Sequence, residues 1–247
     1  MHEPDAPTLD RLADQGWPAL EREAAGGWTL RASGGVTNRA NSVLPAGAVA
    51  DLDRAISRAE NWYAARSLPA VFQVSPGATE GLDDALALRG YRSHSHTDIL
   101  IADRAHVASA DGPANEAPRL TDAPDDGWLG TWWSVDGRGG DAERATAERI
   151  LTGGPALYAS LGDRATPDAV ARLAIVGEWG GLYAVATRPS ARRRGLARAL
   201  AVALARASAE HGVRRLWLQV LAENTAAHAL YGSLGFRAAS RYAYWSA

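Results

Sequence analysis

The segment YAVATRPSARRRGLARAL, Tyr183 to Leu200, sets a strand, a proline and a glycine-led amphipathic helix in succession. Gly195 follows Pro189 by six residues, and Arg192-x-x-Gly195-x-Ala197 fits the pattern Arg/Gln-x-x-Gly-x-Gly/Ala. Such a junction can cradle an anion. Backbone N–H groups at the start of a helix lack intrahelical acceptors, and the macrodipole adds partial positive charge there. Gly195 removes the Cβ that would hold a phosphate away, and arginines match phosphate oxygens with a fork of donors. The bland alternative is a solvated basic run, although cations at that end of the dipole are disfavoured unless an anion is present. A second group lies in LQVLAENTAAHALYGSLGF, Leu218 to Phe236. Asn224 stands at a strand–helix junction, with Ala227 and Tyr231 three and seven residues on along one helical face. Taken alone, these are equally an N-cap asparagine and a core tyrosine.

The elements that position both groups follow from hydrophobic spacing and from the breakers. In the second half the spacing predicts a weak strand near Arg119-Leu120 and helices over 126–135 and 141–151. Strands follow over 156–161, 169–176 and 181–187, then a helix over 195–210, a strand over 215–221, a helix over 225–234 and a final strand over 236–246. In the first half it predicts a helix from Thr8 toward Ala25 broken near Pro18, and strands over 28–31 and 39–44. A helix follows Pro45, then a strand over 68–75, a helix over 79–88 and a strand over 97–102. From Asp103 to Pro118 periodicity fails, so a linker is expected at 104–117 between domains 1–103 and 118–247. Leu68 to Arg92 and Val213 to Arg237 are both 25 residues of strand, turn, helix and Gly-aromatic-Arg, which points to duplication of one α/β unit.

Composition narrows the chemistry. The chain has no cysteine, and all 26 basic residues are arginine. Thiol nucleophiles, cysteine-held zinc and iron–sulfur clusters are excluded, as are the lysines of Walker-A loops, kinases and Schiff bases. At 247 residues there is room for two domains of roughly 100–130 residues. A net charge of −2 gives no global pull toward nucleic acid or membranes. The start MHEPDAPTLD has neither a basic nor an apolar leader region, and no window is long and apolar enough to span a bilayer. A soluble cytoplasmic protein is expected.

Together and in this order, the two groups resemble the Gcn5-related N-acetyltransferase (GNAT) superfamily over about residues 117–247. The resemblance implies an α/β fold of the α+β kind: tandem GNAT-like domains, each a mixed, mostly antiparallel central sheet flanked by helices. It implies that Val185 and Thr187 offer backbone groups to the pantetheine arm of acetyl-CoA, the co-substrate. Arg192, Arg193, Arg194, Gly195, Leu196, Ala197 and Arg198 would hold the pyrophosphate. Asn224 would contact the pantetheine, Ala227 would leave room for it, and Tyr231 would face the sulfur. The expected reaction is direct transfer of acetyl from acetyl-CoA to a primary amine on a small molecule or peptide, with no metal and no nucleic-acid or membrane partner. Tyr231 would protonate the leaving thiolate. Histone-directed members carry a glutamate base fourteen residues before the loop glycine, where this chain has Gly181. Glu178 is the nearest carboxylate, and a water chain is the other option. A non-catalytic acyl-CoA sensor is the rival reading.

Other residues offer less. His94-x-His96 would share a strand face but has no carboxylate at ligand spacing. Trp128, Trp132 and Trp133 line either a substrate pocket or the core. In the first half, setting Pro45 against Pro189 puts Ala48 to Asp53 where Arg192 to Ala197 stand, so Asp51 replaces the glycine and the arginines vanish. Two carboxylates there would repel a pyrophosphate, which makes the first half similar to a degenerate copy. Titration with acetyl-CoA should therefore saturate at one equivalent per chain; saturation at two would show that the first half retains a working cradle.

Overall fold

The computed structural model describes residues 3–111 and 117–247; the middle of the expected linker, 112–116, lies outside them. The chain divides into two compact units. One holds Met1–Ile99 with Leu221–Glu223 and Ala239–Ala247, and the other Leu100–Val220 with Asn224–Ala238. Both expected boundaries move. Residues 104–109, read as linker, form the helix α4 (Arg104–Ser109), capped by Asp103 and burying Val107. Ala239–Ala247, expected with the second half, group with the first unit because Ala243, Tyr244 and Trp245 pair with Val74, Gln73 and Phe72.

In the first unit, α1 (Ala6–Gly16) begins at an Asp5 cap, and the hairpin β1 (Glu21–Ala25) and β2 (Trp28–Ala32) follows. Glu21–Ala25 is a strand where sequence spacing suggested the tail of a helix, since the chain cannot continue α1 through Pro18. Only the end of the strand expected over 39–44 pairs: Leu44 bridges Thr29 and Val43 bridges Phe72. Asn41 closes the loop before them, accepting from Ser33 N and Gly35 N at 2.7 and 2.8 Å and donating to Val36 O and Thr37 O. Then come α2 (Leu52–Ala64), β3 (Phe72–Val74), α3 (Leu82–Leu88) and β4 (Arg92–Asp103). The last strand, β10 (Arg237–Ser246), lies between β3 and β4.

The second unit carries the mixed sheet in the order β9-β8-β7-β6-β5. Its strands are β5 (Arg119–Thr121), β6 (Ala156–Leu161), β7 (Ala169–Val176), β8 (Trp179–Thr187) and β9 (Arg215–Leu221). All pairings are antiparallel except β8 with β9, which is parallel. Helices α5 (Asp126–Asp136), α6 (Asp141–Leu151), α7 (Leu196–Ala207) and α8 (Thr225–Gly232) complete it. Alternate residues of β6 and β7, such as Leu157, Ala159, Ala171 and Leu173, share one apolar cluster with Leu200 and Leu204 of α7. No helix among the described residues is long and apolar enough to cross a membrane.

The repeated segments share their turn geometry. Gly90 and Gly235 have φ of 85° and 84°, the left-handed region that glycine tolerates. Tyr91 N donates to Leu86 O at 3.0 Å, and Phe236 N to Tyr231 O at 3.0 Å. Leu86 thus stands where the other segment has Tyr231, and by the same register Leu82 stands at the place of Ala227.

A buried ion pair holds the first unit together. Arg31, 2% exposed, donates to Asp14 Oδ1 (3.1 Å), Ser42 O and Oγ, and Gln73 Oε1. Burial pushes the Asp14 carboxyl up, but hydrogen bonds from Arg22 and the charges of Arg31 and Arg22 outweigh it and hold the group below its usual range. Asp10, one turn earlier, accepts from Ser75 Oγ (2.5 Å), and its burial raises its pKa. The signs are opposite. Asp14 stabilises the fold above the ordinary carboxylate range and loses that contribution in acid, whereas Asp10 costs stability as pH rises through its raised pKa. Asp14→Asn should lose about 3–5 kcal/mol at pH 7, because it strands a buried guanidinium. Asp10→Asn should lose nothing at pH 7, and any gain should disappear below about pH 4. Urea denaturation at several pH values reads both.

Candidate active site

The site begins with a defect in β8. Val170 pairs with Ala186 and Arg172 with Tyr183, so Ala171 faces two residues, Ala184 and Val185. The extra residue is a β-bulge, and Ala184 adopts a φ of 50° to make it. On its other edge β8 pairs with β9 only from Trp179 to Leu182. Beyond Leu182 the parallel register ends, and the stretch from Tyr183 to Thr187 runs on without it. Val185 and Thr187, both half-buried, lie on that stretch.

After Thr187 the chain makes one short 3-10 turn, Pro189–Ala191, and Ala191 anchors it in the core. Arg193 and Gly195 are then left-handed, with φ of 61° and 75°. Gly195 caps α7 with no side-chain hydrogen bond, and the first turn carries no acidic residue. The N–H groups of Leu196, Ala197 and Arg198 therefore open the helix with neither a capping side chain nor a carboxylate beside them, while the Leu196 side chain turns into the core. The corresponding helix of the first unit is closed by its own acids: Asp51 accepts from Arg54 N at 3.0 Å, and Asp53 pairs with Arg89 at 3.1 Å.

The arginines of the loop divide into two sets. Arg192, Arg193 and Arg194 are all exposed, and Arg192 donates weakly from Nε to Thr187 O at 3.4 Å while joining no ion pair among the described residues. Arg194 pairs with Asp168 at 2.8 Å, and Arg198 bonds Asp111 O and Ser233 Oγ. Sequence spacing did not find Asp168, because it lies 26 residues from Arg194 and has no local pattern.

On α8, Asn224 is an N-cap, accepting from Ala227 N at 3.0 Å. Tyr231 is 7% exposed, its ring 5.6 Å from Phe236 in an edge-on contact. Its hydroxyl bonds no other described residue, and burial pushes the phenol far above its ordinary value. The phenol is therefore a proton holder at any ordinary pH.

Glu178 does not join this group. It occupies the turn before β8, exposed and paired with Arg214 at 3.4 Å. Seven residues separate it from Val185, roughly 23 Å along a strand. Nor could a carboxylate stand at 181: a Cβ on Gly181 would lie 2.3 Å from the Trp217 ring, whose Nε1 donates to Tyr183 Oη at 3.2 Å. Trp128 and Trp132 are core residues, Trp128 donating to Ala159 O at 3.1 Å, and only Trp133 is half-exposed. Arg172, which the sequence reading passed over, is fully buried between the Tyr158 and Tyr183 rings, at 6.0 and 5.9 Å. His94 bonds Ser95 and Ser246, and no group of three or more metal-binding side chains occurs among the described residues.

A parted parallel strand pair beside a glycine-led helix start is the architecture of the Gcn5-related N-acetyltransferases. A family model described as "Probable histone acetyltransferase Rv0428c C-terminal" matches residues 5–245. The chain belongs to this family of GNAT N-acetyltransferases. It is 29% identical to the "Uncharacterized N-acetyltransferase YobR" of Bacillus subtilis over 97% of this chain and 98% of that one. Its fold matches a GCN5-related N-acetyltransferase from Kribbella flavida at a TM-score of 0.67 and 16% identity, covering 96% and 94% of the two chains. It also matches a tandem GNAT protein from the clavulanic acid biosynthesis pathway at 0.66 and 15%, covering 99% and 90%.

Gly195→Glu would put a carboxylate, on a strained left-handed residue, at the mouth of this loop. If the loop holds the pyrophosphate of CoA, two lost charge-assisted contacts of about 1.5–3 kcal/mol each correspond to an affinity lower by roughly 10²–10⁴-fold. Calorimetry measures it, and near-native affinity would remove the pyrophosphate from this loop.

Proposed function

We propose that the second unit transfers an acetyl group from acetyl-CoA to a primary amine by direct attack, with no covalent enzyme intermediate. The observation that carries this reading is the pairing of the two left-handed residues and uncapped helix start at 193–198 with a parted β8–β9 edge. The loop suits a pyrophosphate on three counts: no Cβ at 195, no carboxylate in the first turn of α7, and two exposed arginines outside the Arg194–Asp168 ion pair, Arg192 and Arg193. The backbone of Val185 and Thr187 would align the pantetheine arm as an added strand does. Asn224 and Ala227 would flank it from α8.

Bound there, the thioester supplies an activated acyl carbon. The amide of Val185 would donate to the oxyanion that forms when the neutral amine attacks. Tyr231, held protonated by burial, would donate to the departing sulfur. With Glu178 distant and position 181 closed by Trp217, the amine proton would leave through water. The first unit offers none of this chemistry: Asp51 and Asp53 close its helix, Leu86 replaces the phenol, and Leu82 fills the place of Ala227. This supports a degenerate copy that serves as scaffold.

The acceptor is a small-molecule or peptide amine. Because the matched family is described as a probable histone acetyltransferase, a lysine peptide belongs in the assay beside simple amines and a peptide N-terminus. Thiol release with one of these classes supports catalysis, whereas tight acetyl-CoA binding without release from any of them would favour a sensor. Tyr231→Phe should lower turnover by roughly 10²-fold, the low end for a general acid because a thiolate leaves readily. Acetyl-CoA affinity should stay within about twofold, and the defect should shrink as pH approaches about 8.5, near an ordinary thiol pKa. Unchanged turnover would make Tyr231 a core residue only.

A further inference from the structure

Arg198 lies in the first turn of α7, yet its side chain is directed at the protein. Its Nε donates to Asp111 O at 3.0 Å, and its Nη1 to Ser233 Oγ at 2.9 Å. Ser233 caps the end of α8 and in turn donates from Oγ to Leu230 O at 2.6 Å. The turn that follows folds back on Tyr231, whose carbonyl accepts from Leu234 N and Phe236 N, each at 3.0 Å. The other side of that turn is gripped by α4: a Cβ on Gly235 would fall 2.3 Å from His106 Cδ2. Two more arginines fasten this region to α7. Arg206 donates to Ala108 O and Ala110 O at 2.8 and 3.0 Å, and Arg104 to Ala205 O at 3.2 Å. All of these residues belong to the second unit.

An arginine kept for phosphate presents its fork to solvent, as Arg193 does. Arg198 instead commits two donors to neutral protein oxygens, one of them two residues from Tyr231. Resting on the acetyl-transfer reading, we propose that Arg198 is a positioning residue: it fixes the end of α8, and with it the Tyr231 hydroxyl, and does not hold the pyrophosphate. Helix α8 has only eight residues, so its C-terminal anchor governs how far the ring reaches. The cradle and the acid are thereby joined through one side chain that bridges α7 and α8.

Steady-state kinetics of Arg198→Gln, Arg198→Lys and Ser233→Ala test this. A displaced acid should cost roughly 10–100-fold in kcat, with the KM for acetyl-CoA within about twofold. Arg198→Lys should recover part of kcat, since an ammonium can reach one of the two acceptors, and it stands in should the Gln variant fail to fold. Ser233→Ala should lower kcat in the same direction and add nothing to Arg198→Gln in the double variant. A KM raised about tenfold at unchanged kcat, with the difference screened by salt, would overturn the proposal in favour of a phosphate contact. Absence of thiol release by the wild-type protein would instead defeat the acetyl-transfer reading. The ring resonances of labelled Tyr231 then decide for Arg198: a shift in Arg198→Gln supports positioning, and an unshifted ring overturns it.

Discussion

The second unit depends on how one parallel strand pair is allowed to end. A parallel ladder in a covered sheet normally continues to the strand termini, because unpaired backbone groups are costly to bury. Here the bulge at Ala184 and Val185 adds a residue to β8, and the ladder with β9 runs only to Leu182 and Leu218. The bulge also lets β8 keep its antiparallel partner β7 on both sides of the irregularity, so the sheet survives the interruption. Backbone left without a strand partner is backbone that can bind a ligand, and the helix start at Gly195 stands eight residues beyond the end of β8. The interrupted ladder and the uncapped helix start are consequences of one short stretch of chain.

The same strand–turn–helix–turn device appears in the other unit with different side chains. Gly90 and Gly235 make equivalent turns, and the backbone hydrogen bonds around Leu86 and Tyr231 match in length. What differs is side-chain content. In the first unit the helix start is capped by Asp51, whose carboxylate accepts from Arg54 N and places negative charge where a phosphate would sit, and the ring position is a buried leucine. Polarity in that unit is used for cohesion: Arg31 draws Asp14, Ser42 and Gln73 together across elements distant in sequence. The two units thus share a turn while differing in the side chains around it, and a shared turn is weak grounds for a shared function.

Much of this was legible in the chain. The glycine-led helix, the proline that ends β8 and the Asn–Ala–Tyr spacing are local signals, and local geometry decides them. The elements from Asp126 to Ser246 follow hydrophobic periods that tertiary contacts did not override. Three things were out of reach, each because it depends on partners far apart in sequence. Glu178 was near in number but sits at the wrong end of a strand, a distance that counting along the chain conceals. Trp217 closes position 181 from the neighbouring strand, and nothing in RLWLQVL says which ring faces which glycine. The run of arginines reads as one basic cluster, yet Asp168 and Ser233 take two of its members for structural use. The shortening of the strand expected at 39–44 has a different cause: Asn41 satisfies four backbone groups by itself, so pairing begins only at Val43 and Leu44.

Burial of Tyr231 sets the terms on which it can act. A phenol pushed far above its ordinary value is a weaker acid than a free thiol, so full proton transfer to an exposed thiolate would run uphill. The comparison changes inside the site, because the environment that disfavours a phenolate also disfavours a thiolate. Desolvation raises the proton affinity of both partners and narrows the gap between them. On the proposed acetyl-transfer reading, the hydroxyl would contribute most as a donor whose bond strengthens as charge builds on sulfur, with transfer completed as that charge matures. Such a donor must be protonated at every working pH and placed within tenths of an ångström. Burial provides the first requirement; the second falls to the groups that fix α8, since an eight-residue helix with one buried side chain has little packing of its own to hold it.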